Sequence, residues 1–84
     1  NFEEKIIHNY LQDKNSWIYF EGKKPKEKLR RHIVVHSQNL SKVSGISFSL
    51  CRKILVSAYN VGGLKYIDTV YIRILQDTLN NLEN

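Results

Sequence analysis

Apolar residues recur along this chain mostly at intervals of three and four, which is the spacing of helices that bury one side. In the first such segment the opposite face is polar, Asn1 is a suitable N-cap, and Glu3 and Glu4 favour the positive end of the helix dipole. A second helix is expected to start at Pro25, whose missing N–H is not needed in a first turn. The whole pattern predicts helices over about 1–12, 25–37, 39–44, 48–59 and 64–82.

Two segments leave an alternative open. Residues 17–20 form an apolar run rich in aromatic side chains that suits a short strand or a tucked helical turn equally well. Residues 66–74 are rich in β-branched and aromatic side chains and follow Gly62 and Gly63, so a strand in a winged hairpin competes there with the terminal helix. We therefore predict an all-α fold, a small bundle of four to five helices, with the winged form as its variant.

Length and composition favour one domain. The chain has 84 residues, of which 42% are hydrophobic, and this is enough for one compact core and too short for two. It contains no Met and begins with Asn1, so we expect 1–84 to be a single helical domain taken from a longer protein. Its single cysteine excludes an internal disulfide.

The sequence carries no signal for a membrane. No window of 18 residues is free of charge, and the N-terminus lacks the apolar centre of a signal peptide. A free cysteine suits a reducing compartment. We therefore expect an intracellular protein, in the cytoplasm or nucleoid of a bacterium or in the nucleus of a eukaryote.

The net charge of +5 is concentrated in the middle of the chain. Residues 23–53 carry nine Lys or Arg against Glu27 alone, a balance of +8, whereas 1–22 and 54–84 have balances of −2 and −1. Such a cluster is typical of a protein that binds a polyanion, because each neutralised phosphate releases counterions. A solvated helix face is the alternative interpretation, and the run at 23–31 also resembles a nuclear import signal if the source is eukaryotic.

Residues 40–55 have the spacing of a helix-turn-helix. Ser41 is small where two helices would approach each other, and Gly45 can adopt the positive φ of a tight turn. Ile46 is expected to fill the angle between the helices, and Ser47 to cap the second helix through its hydroxyl. The segment therefore predicts a corner between two packed helices.

The second helix of this corner would present a polar face at its start. The residues expected to face inward are Cys51, Ile54 and Leu55. The residues expected to face outward are Phe48, Ser49, Arg52 and Lys53. An outward face with two cations is what a helix that enters a DNA groove requires. The alternative is an ordinary corner of a helical bundle, which would bury Phe48 and Leu50.

The run Gly-Ile-Ser-Phe-Ser-Leu-Cys-Arg-Lys-Ile from Gly45 to Ile54 resembles the helix-turn-helix of LacI-type bacterial repressors, in which Gly-Val-Ser-x-x-Thr-Val-Ser-Arg-Val is typical. The resemblance is confined to residues 40–55. It implies a DNA-binding segment of a transcription regulator. In that family the first residues after the capping serine enter the major groove, and by position these are Phe48 and Ser49.

Other candidate chemistry is weak. His32 and His36 lie four apart, close enough on a helix to share a metal, with His8 and Cys51 as further candidate ligands. No carboxylate lies near them in the sequence, so we expect neither a metal nor another cofactor. Cys51 falls on an apolar stripe, the carboxylates are scattered, and there is no glycine-rich phosphate loop. We therefore expect a protein that is not an enzyme.

The preferred interpretation is a module that binds duplex DNA, of the kind found in regulators of transcription, replication or partition. The predicted contact residues are Lys42, Ser47, Phe48, Ser49, Arg52, Lys53, Lys24, Lys26, Lys28, Arg30 and Arg31. One alternative is a helical protein-interaction domain of a larger nuclear or regulatory protein. Another is binding of single-stranded nucleic acid through stacking on Trp17, Tyr19 and Phe20.

The terminal segment 64–82 carries two apolar stripes. They are Leu64, Ile67, Tyr71 and Ile74, and Ile72, Leu75, Leu79 and Leu82. A helix that covers one side of a small domain needs only one stripe. We therefore predict a homodimer through 64–82, which would set two recognition helices about one DNA turn apart. The alternative is a central helix that is buried on all sides.

Overall fold

The computed structural model describes residues 1–12 and 26–83, which form three helices. They are α1 (Phe2–Tyr10), α2 (Glu27–Ser44) and α3 (Phe48–Glu83). The prediction of an all-α fold is confirmed, since none of the described residues forms a strand. Three helices are fewer than the four to five predicted. Within the same ranges, no helix has both the length and the apolar content that crossing a bilayer requires.

Helix α1 begins with a reciprocal cap. The backbone N–H of Glu4 donates to Oδ1 of Asn1 at 2.8 Å, and the side chain of Glu4 reaches back to the amino group of Asn1. Ile6 is fully buried and Leu11 nearly so, which packs the helix against α3. The hydroxyl of Tyr10 donates to Oδ2 of Asp77 at 2.7 Å and ties the end of α1 to the last turns of α3.

The helices predicted over about 25–37 and 39–44 are one continuous helix, α2. Ser37, where we expected the first to end, is fully buried, and its hydroxyl donates to the carbonyl of Ile33 at 2.7 Å. The polar side chain is satisfied inside the helix and does not interrupt it. The helix ends at Gly45, whose left-handed φ of 77° was predicted for the turn.

The helices predicted over 48–59 and 64–82 are likewise joined, with one break at Gly63. This glycine has a φ of 75° and a ψ of −162°, a combination that is open almost only to glycine. The winged hairpin considered over 66–74 is wrong. The β-branched residues there form the buried stripe of a helix, and this burial outweighs their preference for strands. The stripe consists of Ile67, Val70 and Ile74.

The core draws on all three helices and on the turn between α2 and α3. Its largest members are Ile6, Ile33, Leu40, Ile54, Leu55, Ile67 and Ile74, each at most 1% exposed. Residues 54–58 are buried without interruption, so this part of α3 is surrounded on all sides. After Gly63 only one stripe of α3 is buried. The aromatic run at 17–20 and Lys24 lie outside the described residues.

Candidate functional site

The turn between α2 and α3 is held by hydrogen bonds to three serines. The hydroxyl of Ser41 donates to the carbonyl of Ile46 at 2.7 Å, and the N–H of Ile46 donates to Oγ of Ser44 at 3.2 Å. The N–H of Leu50 donates to Oγ of Ser47 at 3.3 Å, which is the predicted cap of α3. Ile46 is 2% exposed and fills the angle between the helices, as predicted.

The first two turns of α3 separate an inner face from an outer face. The residues predicted to face inward are buried: Cys51, Ile54 and Leu55. Ser49 and Arg52 are exposed, Phe48 is 38% exposed, and Lys53 and Leu50 are half-buried. A corner that buries Phe48 is therefore not observed, whereas Leu50 does pack against the core.

Cys51 is a core residue. Its thiol is buried and lies 3.9 Å from the carbonyl of Ile46. Burial raises the pKa of the Cys51 thiol to about 11, so the thiolate that a nucleophile or a metal ligand needs is scarce at neutral pH.

An open groove follows the corner between α2 and α3. It is lined by Gln38, Asn39, Ser41, Lys42 and Phe48. Of these, Lys42 and Phe48 were predicted as contact residues, and Gln38 and Asn39 were missed. Their place three and four residues before Lys42 on the same helix was the signal that could have found them. Amide, cationic and aromatic side chains together are the types that contact base edges in DNA.

Three cations share the outer face of α2, opposite its buried side chains. They are Lys28, Arg31 and Lys42, all exposed, and we call them the basic line. Lys42 follows Lys28 by 14 residues, which is about 21 Å along the helix axis. Nη2 of Arg31 lies 3.7 Å from Oε1 of Glu27, but both side chains are exposed, so the pair contributes little.

The remaining predicted cations are dispersed. Arg30 is exposed on α2 to one side of the basic line, and Lys26 is exposed just before the helix. Lys24 belongs to the part of the chain that is not described. The sequence cluster at 23–31 therefore contributes two of its members to the basic line, Lys28 and Arg31.

A second polar cluster joins α2 to the part of α3 after Gly63. Nε2 of His32 lies 3.1 Å from Oδ1 of Asp68, and Nε2 of His36 lies 3.4 Å from the same oxygen. Within residues 1–12 and 26–83, this is the one group of three such side chains close enough to hold a metal ion. His8 and Cys51, the further ligands considered from the sequence, do not belong to it.

The histidines of this cluster are packed closely. Their ring centroids are 4.1 Å apart, and the ring of His36 lies 4.5 Å from that of Tyr71. Burial lowers the pKa of His36, the nearby His32 lowers it further, and Asp68 opposes both. The side chains of His32 and Asp68 are 32% and 54% exposed, so the cluster opens to solvent on one side.

The terminal part of α3 exposes an apolar face. Of the first predicted stripe, Ile67 and Ile74 are buried and Tyr71 packs on the core, but Leu64 is exposed. Of the second stripe, Leu75 packs on the core, and three residues are exposed by half or more: Ile72, Leu79 and Leu82. This helix is therefore not buried on all sides.

Comparison with known proteins gave no match among family models, curated proteins or solved structures. The likeness of residues 40–55 to LacI-type repressors therefore stays a prediction.

Proposed function

We propose that this domain binds duplex DNA through the corner between α2 and α3 and the outer face of α2. The observation that carries the proposal is the groove in which Lys42 of α2 and Phe48 of α3 line one surface. Two predicted contact residues from different helices thereby line the same groove. The resemblance of residues 40–55 to a repressor helix-turn-helix supports the same conclusion.

The side chains around the groove suit the edges of base pairs. Arg52 is exposed on the second turn of α3 and can pair with the two acceptors of guanine. Gln38 and Asn39 carry the amides that pair with adenine, and Phe48 suits the methyl group of thymine. Ser47 caps α3 and, with the left-handed Gly45, fixes the direction in which this helix starts.

The basic line is placed to neutralise phosphates beside the groove. It ends at Lys42, which also lines the groove, and extends about 21 Å along α2 to Lys28. Phosphates on one strand are spaced about 3.4 Å along the DNA axis, so this length spans several of them. These contacts supply affinity without sequence preference.

The affinity for duplex and single-stranded DNA, measured at several salt concentrations, tests the proposal. We expect duplex binding that weakens steeply with salt, and a slope that falls by about two units when Lys28 and Arg31 are both changed to Ala. The matched control is Lys5→Ala with Lys65→Ala, which removes the same charge from α1 and from the part of α3 after Gly63. Equal affinity for both nucleic acids, or no salt dependence, would contradict duplex recognition.

We further infer that the domain forms a homodimer through the apolar face of 64–82. Ile72, Leu79 and Leu82 are all exposed on this part of α3, and contiguous exposed apolar patches mark interaction sites. A two-fold dimer would present two corners to neighbouring turns of DNA.

Sedimentation equilibrium at tens of micromolar tests the dimer. Ile72→Glu with Leu79→Glu should give a folded monomer, whereas Asn81→Glu, which adds one such charge at an exposed polar position on the same helix, should leave the dimer intact. A single 9.9 kDa species for the unchanged chain would contradict it.

The same apolar face favours one second candidate, a helical protein-interaction domain. This candidate predicts that the unchanged chain has no affinity for DNA at low salt, unlike the DNA-binding proposal. It also predicts that the exposed Leu79 and Leu82 contact another protein.

A further inference from the structure

The cluster of His32, His36 and Asp68 plays no part in the proposed DNA surface. Both histidine Nε2 atoms point toward Oδ1 of Asp68, and the three ligand atoms lie within 4.8 Å of one another. We propose that these three side chains form a Zn²⁺ site that joins α2 to the part of α3 after Gly63.

The distances fit a tetrahedral ion. Zinc binds imidazole nitrogen and carboxylate oxygen at about 2.0–2.2 Å, so two ligands at neighbouring corners of the tetrahedron lie about 3.3–3.6 Å apart. The separations of 3.1 and 3.4 Å between Oδ1 of Asp68 and the two Nε2 atoms agree with this edge. The third edge, between the two histidine nitrogens, is no longer than 4.8 Å and would shorten when an ion binds.

The ligand chemistry also fits. Two imidazoles and one carboxylate suit Zn²⁺, and the partly exposed Asp68 leaves the fourth position open to water. A hydrogen bond to Asp68 needs only one histidine, yet both Nε2 atoms converge on the same oxygen.

The ligands come from distant parts of the chain. Asp68 follows His32 by 36 residues, and the two lie on different helices. An ion held by both helices binds the folded chain and not the unfolded one, so it stabilises the fold as its concentration rises above the dissociation constant.

Calorimetric titration with ZnCl₂ and thermal unfolding with and without Zn²⁺ test the site. We expect one ion per chain and a Tm that rises with Zn²⁺ and returns when EDTA is added. His32→Asn and Asp68→Asn should each weaken Zn²⁺ binding by at least about 10-fold. Changing a residue that only supports a metal ligand already costs about 10- to 100-fold, so the loss of a ligand should cost no less. His8→Asn, an exposed histidine on α1 outside the cluster, should leave binding unchanged.

A second readout uses the unchanged chain, so that it does not depend on a variant that folds. In ¹⁵N NMR spectra of the imidazoles, Zn²⁺ should shift the Nε2 resonances of His32 and His36 and leave those of His8 in place. No Zn²⁺-dependent change in Tm or in these resonances at a tenfold molar excess would overturn the proposal. The proposal would also be overturned if the His32→Asn and Asp68→Asn chains both bound Zn²⁺ as tightly as the unchanged chain.

Discussion

The two parts of α3 on either side of Gly63 differ in how they are used. Before the glycine, residues 54–58 are buried without interruption, and the exposed positions lie in the first two turns of the helix and at Val61 and Gly62. After it, one stripe is buried and apolar side chains such as Ile72 are exposed. Residues 54–58 are surrounded on all sides, which holds the preceding turns, with the exposed Phe48 and Arg52, in place. The second part leaves an apolar face exposed.

One cavity beside α1 is lined by residues from both parts of α3. Ser57 and Ala58 are small, and they line a cavity together with Tyr10 of α1 and with Tyr66 and Val70 from beyond the break. α1 therefore lies against both parts of α3. The break at Gly63 lets the second part of α3 reach this position without a long loop.

The largest expected effect tests the difference in burial. Leu55→Ala removes a fully buried side chain and should lower the free energy of unfolding by about 2–5 kcal/mol. Leu79→Ala removes a side chain that is 53% exposed and, at a concentration where the chain is monomeric, should change it by no more than about 0.5 kcal/mol. Urea denaturation of both variants measures this, and equal losses would contradict the difference in burial.

A smaller effect is expected at the break itself. Gly63→Ala places a β-carbon on a backbone conformation that costs about 1–3 kcal/mol for other residues. Space is not the cause, because apart from the two adjacent residues no atom in the described part of the chain lies within 4 Å of the added carbon. Gly45 lies in the ordinary left-handed region, so Gly45→Ala should lower the free energy of unfolding by about 1–2 kcal/mol. Urea denaturation showing no loss for Gly63→Ala would mean that α3 is not broken there.

The smallest expected effect concerns the tie between α1 and the end of α3. Burial raises the pKa of Tyr10 to about 12, and the hydrogen bond to Asp77 raises it in the same direction. An unfolded tyrosine titrates near 10, so the stability from this contact is full below pH 10 and is lost as the pH rises through about 12.

Tyr10→Phe lacks the titrating hydroxyl and is the direct comparison. Urea unfolding between pH 8 and 12 should show a smaller alkaline loss of stability for this variant than for the unchanged chain. Identical alkaline losses for the two chains would show that Tyr10 is not held by Asp77.

The corner between α2 and α3 could be predicted because its signals are local. A glycine that follows one apolar stripe predicts the end of a helix, and a serine that precedes the next stripe predicts a cap. These two signals placed the turn at Gly45 and the start of α3 at Ser47. The number of helices was overestimated because Ser37 and Gly62 resemble helix ends in the sequence, although a hydrogen bond within the helix satisfies Ser37. Asp68 was missed because its partners lie on another helix, and the sequence alone does not indicate which flanks of two helices meet.

The most direct test of DNA recognition compares two variants that lose the same charge. Lys42→Ala with Arg52→Ala changes the groove and the start of α3, whereas Lys5→Ala with Lys65→Ala changes exposed cations elsewhere. Fluorescence anisotropy titrations of duplex DNA at one salt concentration measure both. We expect the first pair to weaken binding by about 1–3 kcal/mol more than the second. Equal affinities for the two variants would contradict recognition through the corner between α2 and α3.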